Sequence, residues 1–319
     1  MNLEIIHTTR YTYDCPVQLH PHLLYLRPRE NSLLHVESFE LFLQPAGTIH
    51  WMRDDFDNIP ASIHYAAISD VLEIRSECVV KTTDLAPFDF MVRDYARTFP
   101  FAYEALHQFN LSLYLAPPPA DVQEALEAWL KSRFIYRPTD TVAWLFALIR
   151  TLNENVRYER RDEQGIQEPL ETIKLNSGSC RDYATLFVAC ARTMGMAARF
   201  VSGYLYDPGL DPSLPGDMHA WVEVFLPGAG WRGIDPTYGI FCHNYYVPVA
   251  HAVVAESINP IQGSFYSSAP VLATLTSDVR IRPITTTGKS PTAAANPAAP
   301  VMGSQSNSQN LSTDAGGLA

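Results

Sequence analysis

The stretch Ser177-Gly-Ser-Cys-Arg-Asp-Tyr183 places a cysteine where a glycine-containing turn enters a helix. Ser179 followed three residues later by Asp182 is typical of a capping box, so Cys180 is predicted to lie in the first helical turn. Backbone N–H groups without partners and the positive end of the helix dipole favour an anion there. The sequence therefore predicts a cysteine poised as a thiolate, beside N–H groups able to stabilise an oxyanion.

The helix that carries this cysteine is predicted to be part of the core. Tyr183, Phe187, Cys190 and Met194 follow the spacing i, i+4, i+7 and i+11, which puts them on one face. Gly195 is the predicted C-terminal cap, since glycine adopts the left-handed backbone conformation that ends many helices.

Two further candidate site residues follow at longer range. His219 opens the strand-like run His219-Ala-Trp-Val-Glu-Val-Phe-Leu226, and Asp235 closes the run Trp231-Arg-Gly-Ile-Asp235. Pro227-Gly-Ala-Gly230 between them is typical of a hairpin, so Asp235 is expected to return close to His219. The order Cys180, His219, Asp235 predicts a nucleophile, a base and a carboxylate that orients the imidazole.

The first quarter of the chain has a β pattern. Residues 1–84 alternate apolar and polar side chains in short runs, separated by turn signals at Pro45-Ala-Gly47 and Asp54-Asp-Phe-Asp-Asn58. The runs are 9–13, 35–43, 71–75 and 78–82. This pattern predicts an N-terminal antiparallel β-sandwich domain over residues 1–84.

The rest of the chain divides at proline-rich and polar segments. Residues 85–120 are a predicted connecting region, and residues 121–283 a predicted catalytic core with helices at 121–135 and 141–155 and further strands near 245–254 and 270–282. Residues 284–319 contain no aromatic and only two charged residues, so we expect this tail to be disordered. The predicted fold class is α+β.

Composition disfavours several classes of protein. A formal net charge of −11 and a pI near 5.3 argue against tight nonspecific binding to nucleic acid or anionic lipid. The first residues show no basic region followed by an apolar one, and no apolar stretch is long enough to cross a bilayer. The five cysteines form no CxxC pair, and no calcium-binding pattern occurs. We expect a cytoplasmic protein without metal, cofactor or disulfide framework.

Residues from about 151 to 239 resemble the transglutaminase-like superfamily, specifically its bacterial members. Gly178-Ser-Cys-Arg-Asp182, His219-Ala-Trp-Val-Glu223 and Asp235-Pro-Thr237 match the three segments that carry the family's Cys, His and Asp. The first half, from His7-Thr-Thr-Arg-Tyr-Thr-Tyr13 onward, is similar to the β domain that precedes the core in these bacterial proteins. The resemblance implies a papain-like core in which the cysteine forms a thioester with an amide carbonyl and releases an amine.

Further residues near the motifs are also assigned roles. Gln167 is a candidate oxyanion donor, as glutamines are in papain-like enzymes. Arg181 and Asp182 are assigned to helix capping and local ion pairs. The loop at 207–217, rich in Pro and Gly just before His219, is a hypothesised border of the active-site cleft.

Three functions stay open at this point. The first is a cysteine protease or amidase acting on a peptide or protein amide. The second is transfer of a protein-glutamine acyl group to an amine, which uses the same thioester. The third is a non-enzymatic binding module built on this fold. The sequence does not specify the acyl donor, the acceptor or the oligomeric state.

Overall fold

The N-terminal quarter of the chain folds into two antiparallel sheets in the computed structural model, which describes residues 1–84, 86–161, 165–209, 211 and 216–285. Its strands are β1 (Asn2–Leu19), β2 (His22–Leu24), β3 (Leu34–Gln44), β4 (Gly47–Trp51), β5 (Ala61–Tyr65) and β6 (Ile68–Thr82). One sheet contains β1, β6 and β3, and the other contains β2, β5 and β4.

The two N-terminal sheets pack face to face through the side chains that alternate inward along each strand. Val17 and Ile74 from one sheet and Leu24 and Ile63 from the other are buried in one apolar cluster. This arrangement confirms the predicted antiparallel β-sandwich. The predicted runs 71–75 and 78–82 form the single strand β6, because Ser76 is buried and continues the alternation without a turn.

The remaining part of the chain supplies all the α-helices of the described ranges and a further antiparallel sheet. The helices are α1 (Ala105–Asn110), α2 (Ser112–Leu115), α3 (Ala120–Arg133), α4 (Thr141–Asn155), α5 (Pro169–Leu175) and α6 (Cys180–Thr193), with 3-10 turns at Asp94–Ala96 and Ala255–Ile258. The strands are β7 (Arg157–Tyr158), β8 (Ser177–Gly178), β9 (Ala198–Leu205), β10 (His219–Leu226), β11 (Gly230–Asp235), β12 (Ile240–Phe241), β13 (Tyr246–Ala252), β14 (Ile261–Gln262), β15 (Phe265–Tyr266) and β16 (Ala273–Ile284).

Helix α6 is the central helix of the part that follows the N-terminal sandwich, and it packs on the sheet β12-β11-β10-β9-β13. Its predicted apolar face is buried, with Phe187 and Cys190 at 0% exposure. Gly195 has a φ of +83° directly after the helix end, which confirms the predicted cap. The predicted helices at 121–135 and 141–155 correspond to α3 and α4. The short helices α1, α2 and α5 were not predicted.

The last strand of the described chain pairs with the first. Strand β16 pairs with β1 over twelve residues, from Asn2↔Ile284 to Tyr13↔Ala273, so the strand predicted near 270–282 joins the N-terminal sheet. Residues Met1–Thr285 form one compact unit. Beyond Thr285, the predicted tail lies outside the described residues. The predicted domain boundaries at 84 and 120 stay predictions. None of the helices in the described ranges is long and apolar enough to span a bilayer.

Candidate active site

Cys180 is the first residue of α6, as the capping-box pattern predicts. The Asp182 carboxylate accepts hydrogen bonds from the backbone N–H of Ser179 at 2.8 Å and from its hydroxyl at 2.9 Å. Gly178 makes this turn possible, because a Cβ there would lie 2.7 Å from Cβ of Asp182. The turn therefore places the cysteine at the positive end of the helix.

The first turn of α6 leaves backbone donors available beside the thiol. The N–H of Tyr183 bonds to the Ser179 carbonyl at 3.0 Å and starts the helical pattern. The N–H groups of Cys180 and Arg181 precede that bond and meet no acceptor among the residues that the structure describes. They are the groups that could hold an oxyanion formed next to the sulfur.

His219 and Asp235 meet because of the register of the β10–β11 hairpin. Val222 lies opposite Ile234, so Asp235 follows on the face of Trp221, and His219 lies two residues further along that face. The imidazole Nε2 and the Asp235 Oδ2 are 2.6 Å apart. The predicted hairpin and the predicted contact between these two side chains are both present.

The Asp235 carboxylate is completely buried and has four hydrogen-bond donors. Oδ1 accepts from the backbone N–H of Thr237 at 2.8 Å and of Tyr238 at 3.3 Å. Oδ2 accepts from His219 and, at 2.8 Å, from the hydroxyl of Tyr246. These donors offset the cost of burying the charge. Because they bind both oxygens, they also fix the orientation of the carboxylate.

The His219 ring is held between aromatic side chains, is hydrogen-bonded to Asp235 and lines the same cavity as Cys180. Trp221 stacks on it with centroids 6.2 Å apart, and Tyr238 lies on another side at 5.7 Å. Because Nε2 faces the carboxylate, Nδ1 is the nitrogen available to the thiol. Burial lowers the pKa of His219, but the interactions of the ring with Asp235 and with Cys180 outweigh this effect and raise the pKa to about 9.

Tyr246 is a site residue that sequence reasoning missed. Its hydroxyl reaches Asp235 although β10 and β9 lie between β13 and β11 in the sheet. Its ring also packs edge-on against Trp221, with centroids 5.3 Å apart. No local pattern marks this tyrosine, because its role depends on the strand order of the sheet.

Cys180 and His219 open onto one cavity of about 480 Å³. Charged residues are prominent on its wall, namely Arg160, Arg161, Arg181, Asp207 and Asp217. The hypothesised border loop contributes through its two ends, whereas residues 210 and 212–215 of that loop lie outside the described residues. The cavity gives a substrate access to the sulfur and the imidazole together.

Gln167 lies beneath the turn that precedes Cys180. Its backbone N–H donates to Asp182 Oδ1 at 2.8 Å, and its side-chain oxygen accepts a bond of 3.0 Å from the Thr172 hydroxyl. Gln167 lines a separate cavity along α6. It is not among the described residues that line the cavity of Cys180. Its assignment as an oxyanion donor stays a prediction.

The assignment of Asp182 to capping and ion pairing is consistent with its contacts. Besides Ser179, the fully buried carboxylate binds the guanidinium of Arg161 at 2.9 Å. Arg181 differs from its assignment, since it has no ion pair or hydrogen bond through its side chain to any residue in the described ranges.

Three of the other cysteines are unsuited to act as thiolates. Burial raises the pKa of Cys78 and of Cys190 to about 12, and it raises that of Cys242 well above the ordinary value. Within the described part of the chain, no group of three or more His, Cys, Asp or Glu side chains is arranged to hold a metal ion.

Family models match both the N-terminal sandwich and the part of the chain that carries the candidate site. Residues 130–236 match the family model of the transglutaminase-like superfamily, and residues 3–81 match that of the bacterial transglutaminase-like N-terminal region. An uncharacterized protein of Mycobacterium tuberculosis is 25% identical over 280 residues, which cover 83% of this chain and 88% of that protein.

Two further similarities have different extents. A protein-glutamine gamma-glutamyltransferase of Pseudomonas aeruginosa is 39% identical over 70 residues, or 20% of this chain and 10% of that protein. The crystal structure of a candidate cysteine protease from Cytophaga hutchinsonii superposes with a TM-score of 0.68 at 18% identity, covering 91% of this chain and 92% of that one. The second similarity covers both the N-terminal sandwich and the part that follows it, so the fold is shared along most of the chain. Residues 130–236 belong to the transglutaminase-like superfamily, and residues 3–81 ahead of them belong to the bacterial transglutaminase-like N-terminal region.

Proposed function

We propose that this protein is a cysteine-dependent enzyme that acts on amide bonds of peptides or proteins. Cys180 is the nucleophile, His219 the general acid and base, and Asp235 the group that orients the imidazole. The observation that carries the proposal is that Cys180 and His219 line one cavity while the imidazole is hydrogen-bonded to the buried carboxylate of Asp235.

In the first half-reaction, the thiolate of Cys180 attacks the amide carbonyl carbon and forms a tetrahedral oxyanion. The free N–H groups of Cys180 and Arg181 are placed to donate to that oxygen. Because the raised pKa of His219 keeps the imidazole protonated near neutral pH, this ring can give its proton to the leaving amine. The C–N bond then breaks, and a thioester remains.

In the second half-reaction, neutral His219 removes a proton from a water molecule, which attacks the thioester carbonyl. The C–S bond breaks, the sulfur leaves as a thiolate, and the acid is released. Asp235 holds Nε2 throughout, so Nδ1 stays directed at the reacting groups. Hydrolysis is favoured because water is abundant at a cavity that opens to solvent.

Acyl transfer to an amine is the second candidate. It uses the same thioester, with an amine in place of water. The similarity of 70 residues to the Pseudomonas aeruginosa glutamyltransferase supports this alternative. A binding module without catalysis is disfavoured, since such a module has no need for a buried carboxylate aligned on a histidine beside a thiol.

The test of the proposed site is the pH dependence of alkylation at each cysteine, measured by mass spectrometry with iodoacetamide. We expect Cys180 to react at pH 6 at least about tenfold faster than N-acetylcysteine, because His219 can accept the proton of the thiol. The His219→Ala variant should lose this advantage, and Cys15→Ser should keep it. Reaction at the rate of an ordinary thiol would favour the binding module.

A product assay separates the two enzymatic candidates. Peptide amides are incubated with the protein in the presence of a labelled primary amine. Free carboxylate as the main product indicates hydrolysis, and incorporated label indicates transfer. Both products should disappear in Cys180→Ser, whereas their persistence would exclude Cys180 as the nucleophile.

A further inference from the structure

Arg181 follows the nucleophile directly and lines the cavity that holds it. The residue is half-buried in the second position of α6. Its guanidinium forms no ion pair and no hydrogen bond with any residue of the described ranges. A partly desolvated cation is thus present beside Cys180 without a counterion from that part of the chain.

The other charged groups considered near Arg181 each have a partner in the described structure. Asp182, next in sequence, is buried and bound to Arg161. On the cavity wall, Arg160 lies 3.1 Å from Asp217. The Asp207 carboxylate accepts the backbone N–H of Gly209 at 2.8 Å. These contacts leave the guanidinium of Arg181 available to an anion that enters the cavity.

The location of this arginine is unfavourable for the helix itself. Cations in the first turn oppose the helix dipole, and the exposed backbone N–H groups there also prefer an anion. A substrate carboxylate bound at the guanidinium would offset the first effect and would leave the N–H groups to the oxyanion. The pairing of carboxylate with guanidinium has a matched, bidentate geometry.

We infer that Arg181 selects acyl donors that carry a carboxylate close to the reactive amide, an inference that rests on the proposed function of Cys180. An extended substrate advances about 3.4 Å per residue, so a guanidinium on the residue next to the nucleophile reaches a carboxylate one or two residues from the amide. That carboxylate is either an acidic side chain or a terminal carboxylate of the substrate.

The test compares alkylation of Cys180 by iodoacetate and iodoacetamide, reagents that differ in carrying a carboxylate or a neutral amide. Each reacts by attack of the thiolate on the CH₂ carbon with loss of iodide. The ratio of the two rate constants cancels any effect of Arg181 on the thiolate itself. It can be measured whatever the absolute rate, using the full-length protein and mass spectrometry.

We expect Arg181→Gln to lower the iodoacetate-to-iodoacetamide ratio by about tenfold relative to the unmodified chain. Arg181→Met should do the same, and Arg181→Lys should retain part of the preference. The matched control is Arg150→Gln, which removes the same charge from an exposed pair on α4 outside this cavity and should leave the ratio within about twofold. Circular dichroism and melting temperature verify that the variants fold.

An unchanged ratio in the two neutral Arg181 variants would overturn the inference, as would an equal fall in Arg150→Gln. Failure of the proposed function has a different signature. In that case iodoacetamide alkylation of the unmodified chain would be slow and independent of His219.

Matched peptide amides then identify the source of the carboxylate. One pair carries Glu or Gln next to the reactive residue, and a second pair ends in a free carboxylate or a carboxamide. We expect kcat/KM to favour one acidic member by about tenfold, and this preference to vanish in Arg181→Gln. Equal kcat/KM for both members of both pairs in the unmodified chain would contradict the inference.

Discussion

The hydroxyl of Tyr246 donates a 2.8 Å hydrogen bond to Oδ2 of Asp235, the same oxygen that faces Nε2 of His219. Two donors on one oxygen fix the position of the carboxylate relative to the imidazole. This tyrosine is therefore a positioning residue that acts on His219 through Asp235.

Replacing Tyr246 by Phe is expected to reduce the free energy of unfolding by about 1–2 kcal/mol, because the buried carboxylate loses one of its donors. Alkylation of Cys180 at pH 6 should slow by a few-fold as the imidazole loses its alignment. Chemical denaturation and mass spectrometry measure the two effects. Tyr245→Phe, at the adjacent partly exposed position, is the control and should change neither quantity.

Replacing Asp235 by Asn is expected to lower the pKa of His219 well below its value of about 9, because the main groups opposing the effect of burial are this carboxylate and Cys180. NMR titration of the imidazole measures the change. Asp207→Asn removes the same charge from the cavity wall without touching the ring, so it should leave the pKa nearly unaltered. A His219 pKa that is the same in Asp235→Asn and in the unmodified chain would contradict this assignment.

The same raised pKa predicts how stability depends on pH. The folded state binds the His219 proton more tightly than the unfolded state, so this contribution is complete below pH 6.5 and is lost as the pH rises through about 9. The difference in unfolding free energy between the unmodified chain and His219→Gln should shrink over that interval. Urea denaturation at pH 6, 7.5 and 9 measures it, and a constant difference would refute the prediction.

Replacing Gly203 by Ala is expected to cost about 3 kcal/mol of stability, because close packing leaves no room for a methyl group. A Cβ there would overlap the carbonyl oxygen of Val247 and lie 2.5 Å from the Trp221 ring. Since Gly203 pairs with His219 across β9 and β10, alkylation of Cys180 should slow as well. Gly195→Ala, at a positive φ but in open space, should cost only about 1 kcal/mol.

Replacing His7 by Asn is expected to flatten the loss of stability in acid. Burial lowers the pKa of His7 to about 4 against the opposing charge of Asp278, so the folded state keeps this ring neutral where the unfolded state binds a proton. Between pH 6.5 and 4 the unmodified chain should lose about 1.4 kcal/mol per pH unit through this residue. His50→Asn, at an exposed position, should keep the slope of the unmodified chain.

Much of the site follows from local sequence patterns. The capping box fixes the start of α6 because Ser179 and Asp182 are three residues apart, a spacing that the helix itself brings together. The hairpin fixes the contact of His219 with Asp235, because a short turn and a period of two residues determine which side chains share a face. Such patterns are readable without knowledge of the rest of the fold.

The partners that come from distant parts of the chain could not be predicted in this way. Tyr246 meets Asp235 only because β13 joins the far side of β9, and β16 pairs with β1 across nearly the whole described chain. The sequence by itself determined the thiol, the imidazole and the carboxylate with their local elements, since these depend on neighbouring residues. Only the tertiary structure decided which buried donor holds the carboxylate and which cation of the cavity has no partner among the described residues, because both depend on strand order and on the packing of residues far apart in sequence.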